Sequence, residues 1–163
     1  MKHRYCLDTN AFIEPWNKYF SMSRCPEYWN IIDKLGQGNI VFCPDQVKRE
    51  IDKTDDALKA WLNARTHLVR AETVEVQKIV REILKEFPHI ISVGAERSMA
   101  DPWVIAHAAV EKAVVVSKEY VESPNQGATR VKIPDVCRHY KIPCINDFAF
   151  VDEVGIKFDA RLP

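Results

Sequence analysis

Val114-Val115-Val116 restricts the chain to few architectures. Three consecutive β-branched residues without polar alternation read as a strand buried on both faces, and such strands belong to parallel sheets covered by helices. Residues 3–7, 40–43 and 144–145 read as further short strands, with helical periodicity between them. The helical stretches are 10–20, interrupted near Pro15, and Pro26 to Leu35, stopped by Gly36-Gln37-Gly38. Pro44 suits the first turn of the next helix, in which Val47, Ile51, Leu58, Trp61 and Leu62 recur at helical spacing and Thr54-Asp55 marks a break. The clearest amphipathic pattern covers 73–87 and ends at Pro88. Helices over 101–112, 134–140 and 147–154 complete the series, with a polar stretch containing Pro124, Asn125 and Gly127 before the second of these. Gly155 is placed as the residue that ends the last helix. The expectation is an α/β fold, one domain over 1–163, with a mainly parallel central sheet flanked by helices in an α/β/α sandwich.

Composition narrows the function classes. A chain of 163 residues, 47% hydrophobic and 28% charged, has enough apolar content for a full core. No apolar run approaches the ~20 residues that a membrane helix needs. Five cysteines and no secretory leader point to reduced thiols and a cytoplasmic protein. The formal net charge is zero. Contact with a polyanion therefore has to come from a local patch or a bound metal.

Carboxylates recur where strands end and helices begin. Asp8 follows the apolar strand Arg4-Tyr5-Cys6-Leu7 and precedes Thr9-Asn10 and a helix. It reads either as an N-cap or as a metal ligand at the rim of the sheet. Asp101-Pro102 opens an almost wholly apolar helix; alone, Asp101 reads as a cap. Glu50 sits at the border of an apolar helix face, where most glutamates are solvated. Glu119 follows Val116-Ser117-Lys118 and alone reads as a loop residue. Together these oxygens suit a hard cation, Mg²⁺ or Mn²⁺. Lys78, Arg81 and Lys85 are interleaved with Glu75, Glu82 and Glu86, as on a solvated, salt-bridged face. Cys137, His139 and Cys144 lack the paired spacing of a zinc site.

In order along the chain, Leu7-Asp8-Thr9-Asn10, Val47-Lys48-Arg49-Glu50-Ile51, Ala100-Asp101-Pro102-Trp103-Val104-Ile105-Ala106 and Val114-Val115-Val116-Ser117 resemble the PIN-domain family of metal-dependent ribonucleases. The closing stretches Lys132-Ile133-Pro134-Asp135-Val136-Cys137 and Ile142-Pro143-Cys144-Ile145-Asn146 are similar to a less-characterised PIN-like subgroup. The resemblance implies catalytic and metal-holding roles for Asp8, Glu50, Asp101 and Glu119, with Asn10 and Ser117 orienting them. Asp135 and Asp147 are rivals for the fourth acid. Ser117-Lys118-Glu119 departs from the family's usual Thr-x-Asp, and Lys118 brings a competing charge. The resemblance further implies Mg²⁺ or Mn²⁺ as cofactor, an RNA substrate, a small protein antitoxin that blocks the acids, and a homodimer.

Two other functions fit parts of the pattern. A phosphatase of the haloacid dehalogenase type also has Asp after its first strand, but needs a second Asp where Asn10 stands. A PIN-like module without catalysis, binding RNA or a protein partner, is favoured by the departure at Ser117-Lys118-Glu119.

Overall fold

The computed structural model describes residues 3–54, 56–91, 99–119 and 131–162. The stretch holding Pro124, Asn125 and Gly127, and Asp55 of the proposed helix break, lie outside them. Among the described residues, five strands form one sheet: β1 (Tyr5–Leu7), β2 (Val41–Pro44), β3 (Val69–Arg70), β4 (Val114–Val116) and β5 (Cys144–Ile145). Every pairing is parallel, in the order β3-β2-β1-β4-β5. Tyr5 stands between Val41 and Val114, and Val116 lies opposite Leu7 and Ile145. All residues of β1, β2 and β4 are buried, as the apolar runs require.

The helices are α1 (Thr9–Glu14), α2 (Pro26–Gln37), α3 (Asp45–Asp52), α4 (Ala57–Asn63), α5 (Val74–Glu86), α6 (Asp101–Glu111), α7 (Ile133–His139) and α8 (Asp147–Val154). No described helix is long and apolar enough to cross a membrane. Helix α6 packs on β1, β2 and β4 and carries α5 on its other side. Its left-handed C-cap, Lys112 at φ 52°, turns the chain into β4.

Four local features differ from the sequence reading. β3 is a two-residue edge strand, too short to show alternation, and it makes a fifth strand. Pro44 ends β2 and precedes α3 rather than lying inside its first turn. Pro15 does not simply interrupt a helix: α1 passes into a π-helical turn, Pro15–Tyr19, closed by the Phe20 N–H donating to the Pro15 carbonyl at 2.8 Å. Helix α2 continues through Gly36, because Gly36 is the point of closest approach to Leu68. A Cβ there would lie 2.9 Å from Leu68 Cγ, and closer still to Cδ2. Leu68 is fully buried, so its side chain has to repack within the core for a Cβ to fit. Gly36→Ala is therefore expected to lower the urea midpoint. Overpacking costs about 1–3 kcal/mol, against the ~1 kcal/mol that alanine adds to a helix interior. A raised midpoint would show that Leu68 repacks freely.

Candidate active site

The strand order reverses at β1. From there the chain builds outward through β2 and β3, then crosses to the other side for β4 and β5. Open α/β sheets bind ligands at such a switch, beyond the C-terminal ends of the strands. Asp8 follows β1 and Ser117 follows β4, so the switch brings together residues 109 positions apart. Ser117 Oγ donates to Asp8 Oδ2 at 2.7 Å, while Asp8 Oδ1 accepts the Ala11 N–H at 2.7 Å as the N-cap of α1. Asp8 is only 3% exposed. Burial raises its carboxyl pKa to about 7; the two hydrogen bonds oppose the rise, and the negative charges of Glu119 and Glu50 add to it.

Glu50 is not the solvated glutamate that its helix border suggests: it is 7% exposed. Its Oε2 accepts the Thr9 hydroxyl and its Oε1 accepts the Ala100 N–H at 2.9 Å. Burial lifts its pKa, against the Thr9 and backbone hydrogen bonds and the nearby Lys53 charge. Through Ala100 the acid on α3 is tied to the start of α6, where Asp101 is the first residue and buried. Asp101 is not the N-cap of α6; that position is Ala100. Alone it had read as a cap; the helix instead begins one residue earlier than that requires.

The remaining acids separate by their partners. Glu119 is close enough to repel Asp8, while its Oε2 accepts the Ile133 N–H at 2.8 Å in the first turn of α7. Asp135 is the half-exposed carboxylate at that helix start, accepting the Lys132 N–H at 3.2 Å. Asp147 is 1% exposed, with Lys118 Nζ 3.1 Å from Oδ1 and the Tyr19 hydroxyl on Oδ2. It does not cap α8; Asn146 does, accepting the Ala149 N–H at 2.8 Å. Lys118 also lies 5.2 Å from the Tyr19 ring centre and 5.0 Å from that of Phe148. The charge that had seemed to compete beside Glu119 is thus engaged by Asp147, on the side of the strand end opposite Ser117.

Asn10 is exposed and lines a cavity of about 460 Å³ with Thr9, Ile13, Glu50 and Lys53. The side chain that hydrogen-bonds a carboxylate there is Thr9. Its signal was a hydroxyl one residue past Asp8, on the same helix start. Among the described residues, no three Asp, Glu, His or Cys side chains converge closely enough to hold an ion. The donors around Asp8 nevertheless fit a hard cation chemically: they are carboxylate oxygens, and a positive charge would offset the repulsion and burial that raise the Asp8 pKa.

This is the PIN-like fold. In architecture the chain is similar to VapBC2 from Rickettsia felis bound to a DNA fragment from its promoter, at 16% identity and TM-score 0.51 over 87% of this chain and 97% of that one. It is similar also to VapBC-1 from nontypeable Haemophilus influenzae, at 14% identity and TM-score 0.49 over 88% and 98%. Residues 5–158 match the family described as a domain of unknown function, DUF4411, and the chain belongs to that family. No curated protein matches it.

Proposed function

We propose that this protein is a metal-dependent endoribonuclease, the toxin of a toxin–antitoxin pair. The observation that carries this reading is Asp8, a buried carboxylate at the sheet's switch point, within electrostatic reach of Glu50 and Glu119. Asp8, Glu50, Asp101 and Glu119 hold one or two Mg²⁺ or Mn²⁺ ions. The metal, when bound, neutralises the scissile phosphate and acidifies water. Ser117 and Thr9 fix the orientation of Asp8 and Glu50 through the hydrogen bonds described above, and Asn10 lines the approach. Buried walls around Asp8 and Glu50 keep bulk water from screening these charges. The similar structures are named as VapBC complexes. That supports a small protein antitoxin covering the acids; a homodimer is what the family resemblance alone implies, and a cytoplasmic protein what the cysteine content implies.

A second reading is favoured by one observation. Glu119 is drawn towards the first turn of α7, and no three acids converge among the described residues. A PIN-like module that binds RNA or a partner without cutting would have such a site. Incubating the purified protein with mixed-sequence single-stranded RNA, with Mn²⁺ or Mg²⁺ and with EDTA, separates the two. Cleavage only with metal is expected. RNA left intact in all conditions, with metal or RNA still bound, would favour the binding module.

A further inference from the structure

A second cavity, of about 350 Å³, opens on the other side of Glu50. Arg49 of α3 and its C-cap Lys53 line it together with Met99, just before α6, and Trp103 in the first turn of α6. Arg49 and Lys53 are one helical turn apart, so their cationic ends share a face. Trp103 is partly buried, packed against the core, and presents ring surface to the cavity; Met99 is 53% exposed. Glu72, just before α5, supplies an acceptor at the rim. The volume lies near the lower end of the roughly 300–1,000 Å³ typical of small-ligand sites, which suits one nucleotide rather than several. Glu50 and Lys53 line both this cavity and the one containing Thr9 and Asn10. A strand running from one to the other would pass over Glu50.

We propose that this cavity is a nucleotide subsite for single-stranded RNA, in which Trp103 stacks an unpaired base and Arg49 and Lys53 hold its phosphate. Flat indole faces bind bases of single strands, and a cationic wall fits the phosphate chain. Glu72 accepts from an exocyclic amino group. Arg49 also pairs with Asp45 at 2.6 Å, one turn back along α3, a solvent-exposed contact that a phosphate can replace. The proposal rests on the ribonuclease reading of the neighbouring acids, and it assigns the first nucleotide beside the scissile phosphate to this wall.

The test is fluorescence anisotropy with a labelled single-stranded RNA decamer and with the same sugar–phosphate chain lacking bases. Ca²⁺, another oxygen-seeking cation, replaces Mg²⁺. Trp103→Leu keeps apolar bulk but removes the ring. It is expected to weaken the base-bearing strand at least about fivefold, the lower end of one stacked base, and to leave the abasic strand unchanged. Trp103→Phe restores most of the loss. Arg49→Gln with Lys53→Gln weakens both strands and flattens the salt dependence by about 1.4 logarithmic units per decade, the value for two phosphate contacts on a single strand. Wild-type binding in Trp103→Leu, or equal loss on both strands, overturns the subsite. So does a wild-type protein that binds no RNA and only a protein partner. Ring-dependent binding without cleavage by the wild type would sink the nuclease and keep the subsite. Cleavage that ignores Trp103 would do the reverse.

Discussion

Asp8→Asn is expected to make the metal-free protein more heat-stable at pH 8 while removing metal-dependent cleavage of RNA. The folded carboxyl titrates at about 7 against an ordinary value of 3.8. Below the lower value both folded and unfolded chains hold the proton, and nothing is lost. As pH rises between the two values the unfolded chain has released it and the folded chain has not. Stability therefore falls across that window, and the full deficit, on the order of 4 kcal/mol, is present above pH ~7. Asparagine stays neutral, its carbonyl oxygen still accepts the Ala11 N–H, and its amide donates to Ser117 Oγ. In EDTA, the difference in melting temperature between variant and wild type should open as pH is raised from about 4 to 8. Parallel curves would show that Asp8 is not a strained acid. Adding Mn²⁺ or Mg²⁺ should stabilise the wild type at pH 8 and leave the variant unmoved, because only the ionised carboxylate binds metal. Cleavage should fall by more than about 100-fold, beyond what loss of an orienting partner costs.

Asp147→Ala should lower stability by about 3–5 kcal/mol, the usual cost of leaving one member of a buried ion pair behind. Lys118, with its side chain 16% exposed, would lose its counter-ion, and the Tyr19 hydroxyl would lose its acceptor. The ammonium contacts Asp147 Oδ1 at 3.1 Å without hydrogen-bond alignment, so the attraction is chiefly charge on charge. Adding Lys118→Met to the same chain should recover most of the loss, since a neutral replacement of both partners is close to balanced. Urea unfolding of the four chains in the cycle measures this directly. The same proteins decide whether Asp147 belongs to the metal site. If it does, the repaired double variant regains stability but no longer responds to Mn²⁺.

The parallel sheet was legible because β1, β2 and β4 are unbroken apolar runs, and Asp8 and Asp101 because one follows a strand and the other opens a helix. β3 was not, since two residues at a sheet edge carry no period. Helix α2 was shortened at Gly36 because glycine reads as a stop; its real reason lies in Leu68, more than thirty positions away. The burial of Glu50 could not be seen for a similar cause. Its partners Thr9 and Ala100 lie 41 and 50 positions away, and only the fold brings them near. Which of Glu119, Asp135 and Asp147 stands near Asp8 depends on which way side chains leave the end of β4. That direction places Ser117 on Asp8 and Lys118 on Asp147, and no spacing in the chain announces it.

The central position of β1 has a consequence for the life of the protein before it is finished. Its neighbours in the sheet are β2 and β4, and the hydroxyl that fixes Asp8 comes from a residue 109 positions later. Chains leave the ribosome at roughly 5–20 residues per second, so several seconds separate the synthesis of Asp8 from that of Ser117. Until then one edge of β1 lacks its partner and Asp8 lacks its donor. Pairings between distant segments also form late in folding, after long loops have closed. A nascent chain therefore carries Asp8 without its Ser117 partner, and β1 without its β4 neighbour, for as long as the 109 positions from one to the other take to be made.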